Sequence, residues 1–263
     1  MKQTVNTPSK IVQAFELEYL RNRLAQNRNV NDFINTYNKN NPEIANTNSG
    51  NKWDKLNVNI DKSKNPMAFD RINSLKKYIS GKNLKILNFG FGQGALESEL
   101  YKMKPLPSLI GIDISSKSVK KAQKKFKKWV FIVGGIERVK VYKNSFDYVV
   151  CSEVLEHISP RNTLATLRQF YKCLKPGGYL LVSVPLNEGL ERLIENGFNP
   201  NSHTRIYTPD IIKMELKISG FNYLSSEFLF AFKKGYFFKK IIANFFINIF
   251  FKPNVMIVFS QKP

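Results

Sequence analysis

The chain is short of cysteine, histidine and acid. Its 263 residues include two cysteines and two histidines, and 20 Asp and Glu stand against 41 Lys and Arg, a formal net charge of +21. Cys151 and Cys173 show no metal-ligand spacing, which excludes a disulfide-built scaffold and a cysteine-ligated zinc module; both are read as reduced thiols. No apolar run reaches the about 18 residues of a membrane-spanning helix. The opening residues, MKQTVNTPSKIVQAF, lack the apolar stretch of a secretion signal, so a cytoplasmic location is expected. An Arg-rich block and a nucleic-acid-binding motif are missing too. The charge favours polyanions, either nucleic acid or an anionic membrane surface. Richness in Lys, Asn, Ile and Phe is also what AT-rich codons produce, so nucleic acid is not favoured as a partner.

What is present is a 43% hydrophobic content, enough for one large core. Residues 1–65 are polar and Asn-rich. They are read as an N-terminal extension, helical in IVQAFELEYLRNRLA and loop-like in NKNNPEIANTNSGNK. A main domain spans 66–263. Its first helix, NPMAFDRINSLKKYIS, has Asn65 placed to cap it and Pro66 suited to its first turn. From residue 84 short apolar runs alternate with helical patterns. The strands are LKILNF, SLIGID, VFIVG, FDYVVCS and, after a KPGG turn, YLLVSVP. The helices between them include ALESELYKM, SSKSVKKAQKKFKKW and PRNTLATLRQFYKCL. That alternation predicts an α/β fold with right-handed crossovers on a mostly parallel sheet, helices on both faces.

An irregular insertion follows at 186–208, then the helix TPDIIKMELKISG, the strand FNYLSSEFLFAF and a last strand, NVMIVFSQK. Residues 235–252 form an aromatic amphipathic helix on which Lys240, Asn244, Asn248 and Lys252 make a narrow polar stripe. It is expected to pack on the domain or across a dimer interface, or else to give peripheral membrane contact.

The first strand runs into NFGFGQGALE. Gly90, Gly92 and Gly94 make a turn into a helix whose N-terminal N–H groups suit an anionic ligand. The second strand ends at Asp113, where a carboxylate can accept both hydroxyls of a ribose. Gly90-x-Gly92-x-x-Ala95 also fits a dinucleotide fingerprint, so the turn alone leaves the nucleotide open.

Taken in order, ILNFGFGQG, IGIDIS, NSFDYVVCSEVLEHI and LKPGGYLLVSVP resemble the class I S-adenosylmethionine-dependent methyltransferases over about residues 84–185. The resemblance implies a Rossmann-like seven-stranded sheet with its last strand antiparallel, S-adenosylmethionine as cofactor, and 66–263 as the methyltransferase domain. By position Gly90, Gly92 and Gly94 flank the methionine portion, Asp113 binds the ribose, Ile114 packs on the adenine, Ile136 reads the adenine edge through its backbone, and Ser152 and Glu153 line the cleft. Asn88 stands where the family usually has an acid, and Gly135 where it often has Asp. Those departures leave a non-catalytic binding protein as one alternative, and an RNA methyltransferase as another.

CSEVLEHI would, if helical, put Glu153, Glu156 and His157 on one face. His203 lies in the insertion that builds the acceptor side of such folds. Three uses stay open for these residues: packing, acid–base work by His157, His203 or Glu153, and a divalent metal site (Mg²⁺ or a like ion). Similarity to quinone-pathway and small-RNA methyltransferases implies Glu153, Glu156, His157 and His203 as its ligands. The expected acceptor is a hydroxyl of a small-molecule, sugar or lipid-linked intermediate. Asp147 is read as structural.

Overall fold

A computed structural model of the chain describes residues 48–56, 65–190, 201–232, 235–245 and 251–263. The helix expected in IVQAFELEYLRNRLA lies outside these residues. Numbered over the described residues, the elements are α1 (Gly50–Leu56), α2 (Pro66–Tyr78), β1 (Lys85–Phe89), α3 (Ala95–Leu100), β2 (Ser108–Asp113), α4 (Ser116–Lys125), β3 (Val130–Val133), β4 (Phe146–Ser152), α5 (Pro160–Cys173), β5 (Leu174–Pro185), α6 (Pro209–Ile218), β6 (Asn222–Leu229), α7 (Tyr236–Phe245) and β7 (Val255–Gln261).

The seven strands form one sheet in the order β3-β2-β1-β4-β5-β7-β6. β1 to β5 are parallel. β7 runs antiparallel between β5 and β6, as expected of the last strand. Each central strand is apolar on both faces, which a sheet sandwiched between helix layers requires. Leu87, Val149, Cys151 and Val182 face one core with Leu167, Phe170 and Ile212 of α5 and α6. Ile86, Val150 and Leu181 face the other with Leu75, Leu96 and Val119 of α2, α3 and α4. Both cysteines are buried and unpaired, and burial pushes the Cys173 thiol up to about 12.

Local signals in the sequence act where they stand. The Asn65 side chain accepts from the Ala68 N–H at 3.0 Å, with Pro66 opening α2. Thr208 caps α6 and Ser115 caps α4. Asp147 is structural: it accepts from the Lys85 N–H at 2.7 Å and from Lys175 at 2.6 Å.

Three local expectations are corrected. KPGG is not a turn outside the sheet but part of β5. Gly177 donates to the Lys262 carbonyl, Lys262 donates to that of Gly178, and the pairing with β4 shifts register between Phe146 and Tyr148 to absorb the extra residues. The stretch read as a loop before residue 53 begins helix α1 at Gly50. CSEVLEHI is not an α-helix. β4 continues to Ser152, Glu153 adopts φ +55°, and a short 3₁₀ turn covers Leu155–His157. Its left-handed Glu153 breaks the helical path. The residue before Pro160 is itself pushed towards extended backbone.

Candidate functional site

The carboxyl ends of β1, β2, β4 and β5 share one edge of the sheet, and the sequence-marked residues gather there. Past β1, Gly90, Gly92 and Gly94 have φ of +74°, +57° and +70°. A Cβ on Gly90 would lie 2.3 Å from the Val154 side chain, so the glycine turn and the turn carrying His157 press together. A Cβ on Gly92 would meet nothing within 4 Å, which leaves its backbone open to a ligand.

Asp113 faces this opening from the end of β2. Its two carboxylate oxygens accept from the N–H groups of Gly92 and Ser115, each at 2.8 Å. Burial raises its pKa, and those two hydrogen bonds oppose the rise. Each oxygen keeps a lone pair for a ribose hydroxyl, so the residues present fit a nucleoside. Ile114 follows, part-exposed. Ile136 opens a 3₁₀ turn after β3, and the Gly135 N–H is occupied by Glu137 at 2.7 Å. Asn88, buried at the end of β1, donates through Nδ2 to Oε1 of Glu97 at 2.6 Å.

Ser152 and Glu153 close the floor. The Ser152 hydroxyl lies 2.8 Å from that of Ser183, which donates to Glu153 Oε1 at 2.9 Å. Glu153 Oε2 pairs with Arg71 at 3.2 Å. Glu153 is thereby turned away from the histidines.

The histidines do meet. The rings of His157 and His203 lie 4.7 Å apart, edge to face. Candidate ligand atoms of Glu156, His157 and His203 all fall within 4.8 Å of one another, so three of the four expected ligands converge and Glu153 does not. Glu156 is 1% exposed. Neither of its carboxylate oxygens has a hydrogen-bond partner among the described residues. Burial first, then Glu153, raises its pKa. Burial and His203 push His157 down to about 3, so its ring is neutral and its 3.9 Å approach to Glu156 is not an ion pair. His203 places Nδ1 2.7 Å from Glu188 Oε2. Thr204 N–H and hydroxyl both donate to the Glu156 carbonyl, and the buried Arg205–Glu215 pair at 2.7 Å anchors the returning chain.

Five residues here carry no clear mark in the sequence. Glu188 orients His203, and Arg71 holds Glu153. Glu97 lies against Asn88. Trp53 and Asp54 come from α1, a cover that bridges both halves of the site. Asp54 accepts from the Ser115 and Ser116 hydroxyls at 2.7 and 2.8 Å and from the Lys117 N–H, which lower its pKa to about 2. At the other side Trp53 meets His157 edge-on with ring centroids 4.8 Å apart. Asn48 donates to the carbonyls of Ser202 and His157, and Lys52 contacts the Ser202 hydroxyl. Long-range side-chain contacts of this kind leave no periodicity to read.

A family model described as a methyltransferase domain matches residues 58–226. A malonyl-(acyl-carrier protein) O-methyltransferase of Priestia megaterium is 30% identical over 119 residues, 44% of this chain and 42% of that protein. A demethylmenaquinone methyltransferase of Thermotoga maritima is 31% identical over 98 residues, 37% of this chain and 42% of that protein. The match thus spans less than half the length of either relative. The N-methyltransferase NodS of Bradyrhizobium japonicum, solved in complex with S-adenosylhomocysteine, shares the fold with a TM-score of 0.60 at 16% identity, over 81% of this chain and 98% of that one.

Proposed function

The chain belongs to the methyltransferase-domain family, and we propose that it transfers a methyl group from S-adenosylmethionine to a hydroxyl oxygen of a small-molecule, sugar or lipid-intermediate acceptor. The observation that carries the choice of a hydroxyl is the Glu188–His203 pair, buried at the histidine, 2.7 Å long, and set beside neutral His157. Glu188 accepts the Nδ1 proton and so leaves Nε2 as the basic nitrogen.

The cofactor supplies an electrophilic methyl carbon on a sulfonium. Gly92 and Asp113 hold its nucleoside end, and the acceptor binds at the histidines. As the O–CH₃ bond forms and the S–CH₃ bond breaks, His203 Nε2 takes the hydroxyl proton; the products are the methyl ether and S-adenosylhomocysteine. Glu188 stabilises the resulting imidazolium. His157, with its depressed pKa, orients the acceptor rather than serving as the base. α1 shields the cleft from water.

Incubation with methyl-labelled cofactor and a panel of hydroxyl, amine and RNA acceptors tests this reading. Label in a base-stable ether supports it. Transfer to RNA, with steep salt dependence, or to nitrogen would replace it.

A second reading is favoured by Glu156, whose two carboxylate oxygens have no hydrogen-bond partner among the described residues. Two imidazoles and one carboxylate suit Zn²⁺, Fe²⁺ or Mn²⁺ better than Mg²⁺, which prefers oxygen ligands. Ligands about 2.1 Å from one ion sit at most about 4.2 Å apart, so the cluster would have to contract slightly. Such an ion would lower the acceptor hydroxyl's pKa. Heat on titrating chelator-treated protein with each ion supports this reading, and loss of that heat in Glu156→Gln locates the ion.

We further propose that the acceptor is met at a membrane surface, because α7 buries Tyr236 and Ala243 but leaves an apolar face uncovered. Lys240, on its polar stripe, pairs with Asp70 of α2 at 2.6 Å, while Phe237, Phe238 and Ile241 are 75%, 71% and 60% exposed. An apolar face on a chain of net charge +21 suits an anionic lipid surface. The helix is too short to cross one, and among the described residues no helix is long and apolar enough to do so.

A further inference from the structure

Among the described residues, Glu97 is the one buried carboxyl beside the glycine turn that the methyl-transfer scheme leaves unused. It sits in the first turn of α3 with 0% exposure. Oε1 accepts from Asn88 Nδ2 at 2.6 Å, and Oε2 has no hydrogen-bond partner among the described residues. Once ionised, the carboxylate can only accept, so it fixes which end of the Asn88 amide it meets and leaves Oδ1 as what Asn88 offers a ligand. A buried acid with an orphaned oxygen costs stability unless something cationic compensates it. Lys125 of α4 lowers the Glu97 pKa only weakly, since the Lys125 Nζ donates to Ser98 at 2.9 Å. Asp113 of β2 pushes the other way. The cationic group the cofactor keeps before and after methyl transfer is its α-ammonium.

We propose that Glu97, acting through Asn88, supplies the negative charge that holds the α-ammonium of the cofactor's methionine portion. Glu97 is thus a positioning residue: the charge missing at the end of β1 is carried by the helix that follows. This rests on the cofactor assignment above. Burial raises the Glu97 pKa to about 7, so ammonium binding draws a proton off it.

Calorimetric titration with two ligands separates the possibilities. S-adenosylhomocysteine carries the ammonium, and 5′-methylthioadenosine keeps the nucleoside without it. Glu97→Gln keeps the hydrogen bond to Asn88 and removes the charge. It should weaken S-adenosylhomocysteine about tenfold or more and leave methylthioadenosine unchanged, and adding Asn88→Asp should restore the loss. Equal weakening of both ligands, or of neither, overturns the proposal. The wild-type protein gives a second reading that does not depend on the variant's folding. At neutral pH, S-adenosylhomocysteine binding in buffers of different ionisation enthalpy should release a proton and methylthioadenosine binding should not. Absence of that difference also overturns the proposal. Failure of the wild type to bind either ligand would instead overturn the cofactor assignment, and this proposal with it.

Discussion

Glu97→Gln should make the protein more stable, by an amount that grows with pH. In the folded chain the carboxyl titrates at about 7 against an ordinary 4.5, because burial disfavours the charged form more than the Asn88 hydrogen bond favours it. Below 4.5 the group is protonated in both folded and unfolded states and contributes no pH dependence. As pH rises from there, the unfolded chain gives up its proton first, so the folded state binds more protons and loses stability. The loss levels off once pH passes the folded value. At about 1.4 kcal/mol per pH unit, the gap from 4.5 to about 7 is a penalty of about 3 kcal/mol. Gln does not titrate, and its Oε1 still accepts from Asn88, so the variant escapes the penalty without losing the contact. Urea unfolding of both proteins across mildly acidic to mildly basic pH is the assay. The two unfolding free energies should coincide at the acid end and differ by about 3 kcal/mol at the basic end. Curves that stay parallel would refute the buried, raised Glu97 and the charge argument built on it.

Glu188→Gln should cut turnover by about a hundredfold or more while sparing S-adenosylhomocysteine affinity, since Gln cannot stabilise the imidazolium that His203 becomes; comparing kcat with calorimetric affinity checks this. Replacing Phe237, Phe238 and Ile241 together by Ser should abolish co-sedimentation with vesicles containing anionic lipid and leave the unfolding free energy within about 0.5 kcal/mol, because these side chains are already exposed. Wild-type protein that fails to sediment with such vesicles would remove the membrane setting. Gly90→Ala should weaken the fold, since its Cβ would collide with Val154, whereas Gly92→Ala has room and carries only the strain of its positive φ, about 1 kcal/mol; thermal unfolding of the two variants should rank them in that order.

The sheet was legible because its signals are local. Apolar runs bounded by glycine give strands, Asn65–Pro66 and Thr208–Pro209 announce helix starts, and Asp113 stands one strand beyond the glycine turn. The site was half legible. That His157 and His203 converge could be expected from the fold, but Glu153 leaves the group because its backbone is left-handed and Ser183 and Arg71 hold its side chain. Glu188, Arg71 and Trp53 reach their partners across the fold from separate segments, and only the folded chain sets those distances. Glu97 shows the same limit at short range. Asn88 reads as a missing charge until its partner nine residues on is seen beside it.

The most direct test is calorimetric titration of the wild type and of Asp113→Ala with S-adenosylhomocysteine. Micromolar binding by the wild type, lost by a hundredfold or so when the ribose acceptor is removed, is the expected result. No binding by the wild type, or equal binding by the two proteins, would contradict the placement of the cofactor and the methyl-transfer reading built on it.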